Sequence, residues 1–134
     1  MRKRLPSFTL LCICCLSSVP AQSVLDGIYT QQQALRGETN YRQSCASCHG
    51  DKLEGRDQTP PLVGSEFTSN WDGMSVGDLF EKIQALMPAD RPGQLSREKN
   101  ADILAYILKV NNFPAGAKEL VGSDALKAVR FRMK

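Results

Sequence analysis

Apolar residues recur at helical spacing in three stretches of this chain, and polar, glycine- and proline-rich segments separate them. Ala34, Leu35, Tyr41 and Cys45 mark the first. Thr30 followed by Gln33 has the form of a capping box, so a helix is expected from Thr30 to Cys45. Gly37 inside it costs about 1 kcal/mol relative to alanine, and such a glycine usually marks the close approach of another element. The second stretch runs from Ser75 to about Leu86. Ser75 and Asp78 form its cap, and Val76, Leu79, Phe80 and Ile83 share one face. Met87-Pro88 ends it, because proline disfavours helical geometry at the residue before it. The third starts from Ser96 as cap and continues to about Val110, with Ile103, Leu104, Tyr106, Ile107 and Leu108 apolar. Gly50 to Asn70 contains Gly50, Gly55, Pro60, Pro61 and Gly64, and is read as an extended loop. Asn111 to Gly116 is a break, and a short helix is expected within Ala117–Phe131. No strand alternation and no internal repeat stand out, so the class is all-α.

The N-terminus has a different pattern. Arg2, Lys3 and Arg4 precede an apolar run from Phe8 to Leu16, then Ser17, Ser18 and Val19-Pro20-Ala21. Residues 1–21 are expected to be a secretory signal peptide cleaved after these small residues, which places the mature protein in the periplasm. The run is too short to span a bilayer, so no stable membrane span is expected. The alternative is an uncleaved interfacial anchor. Cys12, Cys14 and Cys15 lie within the run without the small flanking residues of a lipoprotein site, and are read as apolar filler. Residues 22–134 form one domain, with a core at about 28–113 and a C-terminal extension at 114–134.

The leader also changes the charge balance. The chain has 17 Lys and Arg against 14 Asp and Glu, formally +3. The leader holds three of the basic residues and no acidic one, so the mature chain is formally neutral. That balance argues against a nucleic-acid partner. The tail is a local exception, with Lys127, Arg130, Arg132 and Lys134 close together. It reads either as a solvated helix face or as a docking patch for an acidic partner or anionic lipid.

The chemistry lies in Cys45-Ala46-Ser47-Cys48-His49, a C-x-x-C-H motif with the spacing of c-type haem attachment. Cysteines at i and i+3 share one face of a helical turn. Both thiols can add across the vinyl groups of one macrocycle, while the histidine supplies an imidazole to iron. A thioredoxin-type redox pair wants a βαβ context, and half of a zinc site wants further ligands. His49 is the single histidine of the chain, and Cys45 and Cys48 are the cysteines left after the leader. A small all-helical chain has little core of its own, and a covalent haem would provide its centre. Leu53, Leu62, Val63, Phe67, Trp71, Leu79, Ile83, Leu104 and Ile107 are the expected wall.

Over the mature chain these residues resemble a class I c-type cytochrome with one haem. Gly37 and Tyr41 stand where that family packs its first helix across its last, with Tyr106 as the aromatic partner. The resemblance implies a cytochrome c-like fold, three main helices around one covalently bound haem c. It implies thioethers at Cys45 and Cys48, and His49 and Met87 as axial ligands of the iron. Met74 is the rival for Met87. Pro60-Pro61-Leu62 is similar to the family loop whose proline carbonyl holds the histidine Nδ1–H, with either proline as the acceptor. Trp71 is a candidate indole donor to a haem propionate, against plain packing on the ring. Arg56 and Arg91 are candidates to neutralise a propionate. The segment from Met87 to Gly93 is similar to the methionine loop of small cytochromes associated with quinoprotein dehydrogenases.

The implied function is one-electron transfer rather than catalysis, with a dehydrogenase or a terminal oxidase as redox partner. Ala46, Ser47, Val63, Pro88 and Ala89 are expected to ring the docking edge. The alternatives are a small haem subunit of a dehydrogenase complex, a haem enzyme or gas sensor with an open iron position, and a subunit in which haem is purely structural.

Overall fold

Thr30, extended at φ −101° and ψ 155°, accepts the amide of Gln33 on its hydroxyl and starts helix α1, Gln31–Ser44. The computed structural model describes residues 22–122 and 124–133. The leader expected over residues 1–21, and Lys134 of the basic tail, lie outside the described residues. After α1 come α2 (Ala46–His49), α3 (Gly64–Trp71), α4 (Val76–Leu86) and α5 (Arg97–Val110). Two 3-10 turns, Val24–Asp26 and Asp124–Ala128, lie toward the ends. The described residues form isolated backbone bridges but no strand.

The expected crossing of first and last helices sets the core. A Cβ at Gly37 would run into the Asp102 carbonyl and the Tyr106 Cβ, so only glycine lets α1 lie this close to α5. Tyr41 and Tyr106 meet there with ring centroids 5.5 Å apart. Around this contact Ile103, Leu104, Ile107 and Leu108 of α5 are fully buried. Leu35 departs from the expected apolar face, with about half of its surface exposed. Gln33 is buried in its stead, because the C-terminal extension covers that side of α1.

Two expectations need correction. Gly64–Trp71 lies inside the stretch read as a loop, yet forms α3. Its cap is remote: Asn111 Oδ1, 47 residues away, accepts the Gly64 amide at 3.1 Å. The short helix expected within Ala117–Phe131 reduces to the 3-10 turn Asp124–Ala128. The extension instead runs as a strap with Leu120, Leu126, Val129 and Phe131 buried. Phe131 packs between Phe67, Trp71 and Phe113, at centroid distances of 6.2, 6.1 and 5.8 Å. Val76 N–H donates to the Val129 carbonyl, and Val24 N–H to the Arg130 carbonyl, which closes the strap over α4 and the N-terminal turn. Lys127, Arg130 and Arg132 are exposed on its outer side.

No helix among the described residues is long and apolar enough to cross a membrane.

Candidate functional site

Cys45 ends α1 and begins the single turn α2. Its carbonyl accepts the amides of Cys48 at 3.2 Å and His49 at 2.9 Å. The turn therefore brings Cys45, Cys48 and His49 together, as the spacing requires. Both cysteines are free; Cys45 is half-buried and Cys48 exposed. Burial, and then the neighbouring Cys48, push the Cys45 thiol up to about 11. It is a neutral thiol at physiological pH.

His49 is buried, and its Nδ1 lies 3.0 Å from the Pro60 carbonyl oxygen. A carbonyl only accepts, so Nδ1 carries the proton and Nε2 keeps its lone pair for a metal. The bond goes to Pro60 rather than Pro61. Three contacts shape the loop that presents Pro60. Gly55 N–H donates to the His49 carbonyl at 2.7 Å, Leu62 N–H to the Leu53 carbonyl at 2.8 Å, and Arg56 pairs with Thr59. Asn111 Nδ2 also donates to the Leu62 carbonyl at 2.9 Å, which ties this loop to the end of α5. Tyr41, fully buried, donates its hydroxyl to the Gly50 carbonyl at 2.7 Å, directly after the motif. Burial raises the Tyr41 phenol above its usual range.

Met87 caps α4 in an extended conformation, φ −116° and ψ 150°, with its amide bonded to the Ile83 carbonyl. Its side chain is half-buried and packs against the core. Met74 is 43% exposed, before α4. Trp71 is half-buried between Phe67 and Phe131, with the Lys82 ammonium 5.7 Å above its ring. Of the expected wall, Leu53, Phe67, Leu79, Ile83, Leu104 and Ile107 are buried, while Leu62, Val63 and Trp71 are half-buried. Of the expected docking edge, Ser47 and Ala89 are exposed and Val63 half-buried, but Ala46 and Pro88 are buried. Arg56 is exposed, and Arg91 is exposed and paired with Asp90.

These residues fit a covalent haem. Two free thiols lie on one turn beside an imidazole with one nitrogen already engaged by a carbonyl, and a soft thioether stands at a helix end. Among the described residues, no group of three or more His, Cys, Asp or Glu side chains is placed to hold a metal ion. A closed zinc site of the usual four ligands therefore has too few donors here.

One residue that the periodicity did not single out also shapes the site: Asn111, whose amide ties the Pro60 loop to the end of α5, has no local motif around it. A polar residue within or just after an apolar helical run was the available signal.

The family described as cytochrome c oxidase, cbb3-type, subunit III, matches residues 32–107, more than half of the chain. No curated protein matches. Among solved structures the chain is similar to one titled the sulfane dehydrogenase SoxCD from Paracoccus pantotrophus. The identity is 25% and the TM-score 0.54, over 72% of this chain and 52% of the other. The match thus spans about half the length of that solved chain.

Proposed function

From the premise that this chain belongs to the cytochrome c family matched over residues 32–107, and so is an electron-transfer haem protein, we propose that it is a periplasmic one-electron carrier. Its haem c is attached at Cys45 and Cys48 and ligated by His49 and Met87. The observation that carries this reading is the turn Cys45–His49, with its imidazole held by Pro60 at 3.0 Å. When bound, the haem supplies a ferric/ferrous couple.

The chain's own residues hold that couple in place. Pro60 takes the Nδ1–H of His49, which fixes the ring and raises the basicity of Nε2. The Met87 thioether favours ferrous iron and raises the potential. Leu53, Leu104 and Ile107, all buried, keep water from the ring. Trp71 serves chiefly as packing, since it already sits within an aromatic cluster. Cys48, exposed on α2, marks the side on which the attachment edge meets a partner.

The likeness to a chain of a sulfane dehydrogenase structure supports a dehydrogenase as the donor of electrons. It equally supports the second reading, a haem subunit within such a complex. The open-iron reading has less support. His49 is the single histidine, so the chain offers no second imidazole as a distal base. Met87→Ala tests the proposal: the reduction potential should fall and the iron should become accessible to carbon monoxide. An unchanged potential would remove Met87 from the iron.

A further inference from the structure

Met87 opens a loop that ends at Leu95, and Ala89 to Gln94 are exposed along it. Two backbone bonds stay inside the loop, Arg91 N–H to the Pro88 carbonyl and Gln94 N–H to the Arg91 carbonyl. Among the described residues, one hydrogen bond ties 88–95 to the helices. Gln84 Nε2 donates to the Leu95 carbonyl at 3.3 Å. Gln84 sits on the last turn of α4, three residues before Met87, so it braces the far end of the loop from beside its start. Its own Oε1 accepts from Asn100 Nδ2 at 2.9 Å.

The order of donors fixes both amides. The Leu95 carbonyl can only accept, so Gln84 turns its NH2 toward the loop and its oxygen toward Asn100. Asn100 must then present its own NH2. Its Oδ1 is left buried with no partner among the described residues. Asn100 is fully buried on the first turn of α5. A buried unpaired acceptor costs free energy that a leucine of similar shape would avoid. Among the described residues its one side-chain hydrogen bond is the one that orients Gln84.

We propose that Gln84 and Asn100 are positioning residues that hold the Met87–Leu95 loop against the helices, and so strengthen the Met87 sulfur–iron bond. This rests on the reading of Met87 as the distal ligand. Without the brace, the exposed loop samples more conformations, and ordering it opposes the bond.

The test is imidazole titration of the oxidised holoprotein, following loss of the sulfur-to-iron charge-transfer band. Asn100→Leu and Gln84→Met should each lower the imidazole concentration needed by roughly three- to tenfold, and lower the reduction potential. The double variant should go no further than the stronger single one, since the two amides act as one unit. Denaturant unfolding of Asn100→Leu should stay near the parent, because removing the buried unpaired acceptor offsets the lost bond to Gln84, whose half-buried oxygen can turn to water. Parental imidazole affinity and potential in both single variants would overturn the positioning role and leave Met87 ligation standing. A parent protein with no sulfur-to-iron band would contradict Met87 ligation itself, and the positioning role would fall with it.

Discussion

Gln33 on α1 and Leu120 of the C-terminal strap, 87 residues apart, exchange two buried hydrogen bonds. The Gln33 amide donates to the Leu120 carbonyl at 2.7 Å, and the Leu120 N–H donates to Gln33 Oε1 at 2.8 Å. One side chain thus takes the place of a strand neighbour for the strap backbone. Beside it, Arg36 bonds Asp102 of α5 at 3.0 Å and Glu119 of the strap at 2.9 Å. Those ion pairs are more exposed and add less.

Gln33→Leu would keep the volume and leave both Leu120 backbone groups buried without a partner. The expected loss is about 2–3 kcal/mol of holoprotein stability, read by denaturant unfolding. A loss under about 0.5 kcal/mol, the scale of an ordinary surface substitution, would mean that the strap does not depend on this contact.

Gly37→Ala sets two effects against each other. Alanine gains about 1 kcal/mol of helix propensity. Its methyl group meets the Asp102 carbonyl, part of the backbone of a packed helix, which cannot rotate away. Overpacking of this kind typically costs 1–3 kcal/mol, about as much as or more than the propensity gain. A lower thermal midpoint is expected, and a raised one would mean that α1 and α5 can separate without penalty.

Much of this was legible in the sequence for identifiable reasons. Ser75 and Asp78 form the capping box that their spacing announces, with bonds of 3.0 and 3.2 Å in the two directions. Ser96 likewise caps α5 through the Lys99 amide. Thr30 caps α1, but Gln33 does not complete its box, because the strap takes the Gln33 side chain. Helix α3 was hidden for a similar reason. Its apolar signal is little more than Phe67 and Trp71, and its cap comes from Asn111 after α5. The C-x-x-C-H motif brought Cys45, Cys48 and His49 together from spacing alone. The choice of Pro60 over Pro61 needed the loop in three dimensions. Local signals were readable where a helix supplies its own cap, and unreadable where a distant amide supplies it.

The α4 cap also carries a pH signature. Hydrogen bonds from Ser75 hold the Asp78 carboxyl below its ordinary value of 3.8, against a smaller opposing effect of desolvation, and the Arg130 and Lys127 charges add less in the same direction. A carboxylate depressed in the folded state stabilises above its unfolded value, and that contribution fades as pH falls through the folded one. The parent should therefore exceed Asp78→Asn in stability at pH 5–7, with the gap closing below about pH 4. Unfolding curves at a series of pH values check this. A gap that stays constant through the acid range would show that the Asp78 charge contributes nothing.

The most direct measurement is the absorption spectrum of the haem-loaded protein, oxidised and reduced, with and without carbon monoxide. A closed His49/Met87 site predicts a c-type reduced spectrum, a sulfur-to-iron charge-transfer band in the oxidised form, and no response to carbon monoxide. A c-type spectrum that shifts strongly with carbon monoxide, with no sulfur band, would contradict the electron-carrier reading and indicate an iron with an open position.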